Sequence, residues 1–271
     1  MENADRLKIV AYAAGSVRPI VSYALWDKGV VVVNAAHWIA YAMAERTVAN
    51  MINALQHIPQ IYWSTREQKP YDPGIFPRRL LMGKKVGVIG VGHIGTRVVQ
   101  LLKPFNVEIM VYDPFLNEEK ARELGVTKVA LEKIFAECDV IADHTPSNES
   151  ARCLIKAEHL KMMKDGAILV TTAHQRPVQI MDIDALVEEV KKGRIMVVFE
   201  TKNMYERRDV VEALRGLNNA IALGGRGVSG TSGGLMSRLV GYVLDDLELF
   251  FKGKKPRKES TVTKEDLIRL A

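Results

Sequence analysis

The chain has 271 residues, 48% hydrophobic and 26% charged, an ordinary globular composition long enough for one large domain or two smaller ones. Its net charge of +6 and pI of about 9.2 suit a small anionic ligand, and no basic-aromatic interleaving points to nucleic acid. Lys252, Lys254, Lys255, Arg257 and Lys258 carry much of the excess and read as a solvated tail. No apolar run has membrane-spanning length, and the start, with Glu2, Asp5 and Arg6, is not a signal peptide. The two cysteines, Cys138 and Cys153, lack metal-ligand spacing, so neither a disulfide framework nor a metal site is expected, and the cytoplasm is the expected compartment.

In chain order, a strand is expected at Leu7 to Ala13, followed by a Gly15-Ser16 turn, then a strand at Val30 to Val33 ending on Asn34. Ala44, Val48, Met51, Ile52 and Leu55 give a helical apolar face to Ala40 through His57. Ile58 to Pro77, with four prolines, reads as a connector. Beyond it, apolar strands near 86–89, 107–112, 139–144, 167–172, 195–200 and 219–223 alternate with helices near 94–103, 117–124, 131–137, 157–163, 182–192 and 208–215. That rhythm predicts an α/β fold with a doubly wound parallel sheet of the Rossmann kind. A long helix from about Leu235 to Lys252 closes the pattern. His57 and His159 sit among polar neighbours and read as surface residues, while Met162-Met163 reads as core filler.

Val86 to Gly95 is the most informative stretch. A buried strand turns on Gly90, Gly92 and Gly95 directly into a helix, in the G-x-G-x-x-G pattern. Gly90 makes the tight turn, Gly92 lets a pyrophosphate approach the backbone, and Gly95 lets helix and strand pack closely. The positive helix end then faces the phosphates. The next strand ends on Asp113, an acid placed to bind the adenosine ribose hydroxyls and to repel the extra phosphate of NADP. Pro114 and Phe115 follow it, with no arginine to receive that phosphate, so NAD is the expected cofactor. The competing reading is that Asp113-Pro114 only starts a turn.

The motifs AAGSVR (13–18), AERT (44–47), GKKVGVIGVGHIG (83–95), VYDPF (111–115), CDVIADHTP (138–146), ARCLI (151–155) and MKDGAILVTTA (163–173) together resemble the D-isomer-specific 2-hydroxyacid dehydrogenase family. The resemblance runs from about Leu7 to Pro256. It implies a Rossmann domain at 59–239 and a partial flavodoxin-like substrate domain at 1–58 plus 240–271, including an inter-domain helix. It also implies a homodimer, and hydride exchange between NAD and C2 of a small 2-hydroxy or 2-keto acid. By the same likeness His93 and Ile94 cover the pyrophosphate, His144, Thr145 and Pro146 lie along the nicotinamide half, and Thr172 and Ala173 sit by its ribose. Glu200 stands where the family usually has an Asp near the nicotinamide amide. The loop around Gly15 and Ser16 offers backbone N–H groups to the substrate carboxylate.

The family's arginine, glutamate and histidine are not where the pattern puts them. His174, followed by Gln175 and Arg176, stands at the arginine's place. Tyr205 stands at the glutamate's place with Glu206 beside it, and Arg226 is the polar residue where the histidine should fall. His174, Arg226 and Glu206 are therefore the candidate catalytic set, with Arg18 as a further anion contact. The bland readings are a leftover substitution at His174 and a surface arginine at Arg18. His144 is either positional or a replacement proton donor. His37 and Trp38 replace small residues of relatives and either narrow the cleft or simply pack. The resemblance also implies about half a domain more chain ahead of Leu7, without which a sheet edge is exposed unless a partner covers it. Three outcomes stay open: an active oxidoreductase, an NAD-binding sensor or scaffold that has lost catalysis, and a decaying fragment.

Overall fold

Five consecutive apolar-rich residues at Lys85–Ile89 form the strand around which the larger part of the molecule is built. In the computed structural model this strand is β3, and residues 5–69, 72–74, 76–173, 175, 178–200, 207–223 and 233–269 are described. Ahead of it come β1 (Ile9–Tyr12), α1 (Ala24–Asp27), β2 (Val31–Asn34), α2 (Ala36–Leu55) and α3 (Ile58–Arg66). After it come α4 (His93–Leu102), β4 (Glu108–Tyr112), α5 (Glu118–Leu124), β5 (Thr127–Lys128), α6 (Leu131–Glu137), β6 (Val140–Asp143), α7 (Ala157–Met162) and β7 (Ile168–Thr171). The chain continues with α8 (Ile183–Lys191), β8 (Met196–Glu200), α9 (Arg208–Leu214), β9 (Ala220–Leu223), α10 (Gly233–Phe251) and α11 (Asp266–Arg269).

The residues fall into two compact units, one of 1–43 with 226–271 and one of 44–225. The boundary expected at 239/240 lies inside α10, and the one expected at 58/59 lies at the start of α3. In the larger unit seven strands pair in parallel in the order β5-β4-β3-β6-β7-β8-β9. The order reverses between β3 and β6, which opens the crevice where ligands of such sheets bind. Every residue of β6 and β7 is buried, as parallel strands covered on both faces must be. Val88, Ala142, Val170 and Val198 pack on one face under Ala44, Val48 and Met51 of α2 and Val98 of α4. Ile141, Leu169 and Val197 pack on the other against α6 and α8. Each such aliphatic side chain removed from water contributes about 2 kcal/mol.

Helix ends follow their sequence signals. Asn117 Oδ1 accepts the Lys120 N–H at 2.8 Å to start α5, and Gly125, at φ 68°, ends it. Asp182 caps α8 through the Ala185 N–H at 3.0 Å. The connector expected at 58–77 begins instead as α3, because Pro59 lies in its first turn, where a missing N–H costs nothing. Between α2 and α3 His57 takes a left-handed conformation, φ 51°, and packs its ring against Phe76. It is buried rather than on the surface, and burial together with the Arg79 charge lowers its pKa. His159 is buried as well, because its Nδ1 accepts the Lys156 N–H at 3.0 Å and its ring stacks on Phe135.

In the smaller unit β1 and β2 pair in parallel, and Asn34 ties their ends together. Its Nδ2 donates to the Gly15 carbonyl at 2.8 Å and its Oδ1 accepts the Ala36 N–H at 3.1 Å, which starts α2. Trp38 packs edge-on to Tyr242, with the Arg238 guanidinium over its indole. The basic stretch after α10 is not all solvated tail. Arg257 Nε donates to the fully buried Asp246 at 3.0 Å and its guanidinium lies over the Tyr242 ring.

Candidate functional site

The glycine turn has the shape its spacing predicts. Gly90 takes φ +82°, and a Cβ there would come within 2.9 Å of the His144 carbonyl oxygen. A Cβ on Gly95 would lie 2.0 Å from the Gly90 oxygen, so α4 can approach β3 this closely only with glycine. Gly92 is the opposite case: nothing lies within 4 Å of the position its Cβ would take. That open space stands at the N-terminus of α4, where Gly92 offers no side-chain cap and His93 and Ile94 begin the helix. Asp113 binds the turn to the tip of β4, since one carboxylate oxygen accepts the Val91 N–H at 2.7 Å and the other the Phe115 N–H at 2.8 Å. It both starts a turn and stands beside the glycine loop, with lone pairs left for a ligand hydroxyl.

The carboxyl edge of the sheet carries a polar row. Ile89, Asp143, Thr171 and Phe199 are register partners across β3, β6, β7 and β8. The residues one step further, Gly90, His144, Thr172 and Glu200, form the next row, on the face covered by α2 and α4. His144 is the centre of it. Its Nδ1 lies 2.8 Å from Thr172 Oγ1, and that hydroxyl donates to the Asp143 carbonyl at 3.3 Å. Nδ1 is thus engaged by the Thr172 hydroxyl. Nε2 is shut off from solvent and has no hydrogen-bond partner among the described residues. Burial pulls the His144 pKa down to about 3, so the ring is neutral at physiological pH.

On the other face Asp143 is fully buried, with one oxygen accepting the Thr145 N–H at 3.0 Å and the other the Thr171 hydroxyl at 2.9 Å. Burial raises its pKa against the effect of those bonds. Ala173 is held by its N–H to Thr171 Oγ1 at 3.2 Å, and Pro146 follows Thr145 at the mouth of the edge.

Glu200, at the end of β8, meets a residue that the sequence reading did not single out. Arg46 of α2 places its Nε 3.3 Å from Glu200 Oε1. The Glu200 side chain is only 5% exposed, yet Oε1 makes no hydrogen bond among the described residues. The one signal for Arg46 in the sequence is its place in the AERT motif at 44–47.

Of the other candidates, Gly15 and Ser16 lie in the smaller unit, Ser16 exposed with its hydroxyl accepting the Arg18 N–H. Arg18 is engaged through its guanidinium with the Leu267 carbonyl. His174, Glu206 and Arg226 lie outside the described residues. Among the described residues no cluster of His, Cys, Asp or Glu could hold a metal ion, and no helix is long and apolar enough to cross a membrane.

A dinucleotide fits what is present. There is room beside Gly92 for phosphates, Asp113 keeps lone pairs for hydroxyls, and polar atoms of His144 and Glu200 without a hydrogen bond among the described residues stand at the ends of β6 and β8. The family model for the D-isomer specific 2-hydroxyacid dehydrogenase NAD binding domain matches residues 48–219. The chain is 35% identical to D-3-phosphoglycerate dehydrogenase of Archaeoglobus fulgidus over 72% of its own length, but spans only 36% of that relative. It is 32% identical to hydroxypyruvate reductase of Thermotoga maritima, over 82% of this chain and 71% of that one. The apo-structure of D-lactate dehydrogenase from Escherichia coli superposes with a TM-score of 0.72 at 25% identity, covering 94% of this chain and 78% of the other. The cofactor of the matched domain is NAD, and the chain belongs to the D-isomer-specific 2-hydroxyacid dehydrogenase family.

Proposed function

We propose that this protein is an NAD-dependent oxidoreductase acting between a small 2-hydroxy acid and its 2-keto acid. The observation that carries the reading is the polar row at the carboxyl edge, one strand over from the open space beside Gly92. Bound NAD would supply the two-electron step, taking or returning a hydride at the C2 carbon of the acid. Gly92, His93 and Ile94 would hold the pyrophosphate, Asp113 the adenosine ribose, and His144, Thr145, Thr172 and Glu200 the nicotinamide half. Proton transfer has to come from elsewhere, because His144 is unprotonated near neutral pH and cannot donate.

His174, Glu206 and Arg226 are assigned that work by their places in the chain. They follow the ends of β7, β8 and β9, three neighbouring strands of the sheet. His174 would move the hydroxyl proton, Glu206 would raise its basicity, and Arg226 would hold the carboxylate. We further take the protein to be a cytoplasmic homodimer. Exposed Tyr62 and Trp63 on α3 support the pairing, and two free cysteines support a reducing compartment.

The test is a titration with NADH followed by energy transfer from tryptophan, then a panel of 2-keto acids followed by loss of NADH absorbance. Binding with oxidation of NADH by at least one acid is expected. Binding with no oxidation by any of them would refute the enzymatic reading and favour a sensor or scaffold.

A further inference from the structure

Arg46 and Glu200 together carry no net charge, and both keep hydrogen-bonding capacity in hand. Glu200 Oε1 is buried with no hydrogen bond among the described residues, and Arg46 approaches it most closely through Nε at 3.3 Å, with no hydrogen bond from its Nη groups among the described residues. The guanidinium side chain is 26% exposed, so part of it can be reached. An anion seated on this pair would leave an unbalanced charge in a poorly solvated place, which is costly. A neutral group that is donor on one side and acceptor on the other, such as a primary carboxamide, satisfies both partners without adding charge. The other row members agree: His144 is a neutral acceptor and Thr172 is uncharged. The carboxylate oxygens of Asp143, in the neighbouring row, are bound by Thr145 and Thr171.

We propose that Arg46, by neutralising Glu200, removes the preference for the cationic oxidised ring that a bare carboxylate would give the nicotinamide end. The inference rests on the reading of this edge as the nicotinamide subsite. A bare carboxylate there would favour the cationic ring of NAD+ over neutral NADH. A bare guanidinium would disfavour it. The paired groups do neither.

The experiment measures dissociation constants of NAD+ and NADH for the whole chain and three variants, using tryptophan quenching and calorimetry, with no substrate present. In Glu200→Gln the guanidinium charge is left unbalanced, so NAD+ should weaken relative to NADH by about tenfold. In Arg46→Met the ratio should move the other way. In the double variant Arg46→Met/Glu200→Gln the site is again uncharged, and the ratio should return to that of the unmodified protein. That variant also leaves no buried unpaired charge, so it guards against loss of folding in the single replacements. If both cofactors bind but the double variant keeps the ratio of Glu200→Gln, Arg46 plays no part and the proposal falls. If neither cofactor binds the unmodified protein, the reading of the edge itself is overturned.

Discussion

Replacing His144 by glutamine isolates the energetic consequence of burying a neutral imidazole. An unfolded histidine titrates near 6.5, whereas His144 in the folded protein titrates near 3. The folded protein therefore binds this proton less well than the unfolded chain, and the group takes stability away as pH falls below 6.5. Above that value it takes none. By linkage, the loss from this one residue between about pH 7 and about pH 5 is about 2 kcal/mol. The figure depends little on the folded-state value, which already lies well below the window. Glutamine preserves a donor to Thr172 and cannot titrate, so His144→Gln should lack this loss. Urea unfolding followed by far-ultraviolet circular dichroism at the two pH values measures it, and groups common to both proteins, His57 among them, cancel in the difference. Parallel losses in the two proteins would show that the ring is protonated when folded or freely hydrated, and the reading of His144 as a buried neutral ring would be wrong.

Three further outcomes are expected. Gly95→Ala puts a methyl group 2.0 Å from the Gly90 oxygen and should cost at least about 3 kcal/mol, read as a fall in thermal midpoint with loss of NADH binding. Asp113→Asn leaves one acceptor oxygen for two backbone N–H donors, so stability should fall by about 1–2 kcal/mol. NADH binding should weaken while discrimination against NADPH relaxes, which paired titrations will show. Cys138 is buried with its thiol pKa pushed up to about 12, and Cys153 is exposed. An aromatic disulfide reagent should therefore modify Cys153 alone in the native protein and both cysteines in urea.

What was legible in the sequence is what depends on neighbours along the chain. The three glycines demanded a tight turn, an open approach and a close helix, and Gly90, Gly92 and Gly95 supply them in that order. Strand ends were readable to within a residue or two because apolar runs stop where the chain leaves the sheet, and those stops put His144, Thr172 and Glu200 at one edge. The rest is set by contacts between distant residues. Nothing in the spacing of positions 46 and 200 marks an ion pair that exists only because α2 lies across the end of β8. Arg257 read as tail because its partner, Asp246, is inside α10 rather than near it in a charge pattern. Pro59 misled in the other direction, since a proline breaks a helix interior but suits a first turn.

The polar row also limits where acid–base chemistry can reside. Glu200 is paired with Arg46, and burial keeps the His144 ring from taking a second proton until about pH 3, so His144 does not exchange a proton near neutrality. A histidine of ordinary basicity, such as one at position 174 at the end of β7, would titrate near 6.5 and could. The pH profile of kcat/KM should then show one limb near neutral pH in both the unmodified protein and His144→Gln. His174→Ala should abolish turnover while NADH affinity stays within about twofold, since nothing at the glycine turn or Asp113 is touched. A neutral limb that vanishes in His144→Gln instead would mean that the ligand-bound edge protonates His144 after all, and the assignment of the proton to His174 would have to be abandoned.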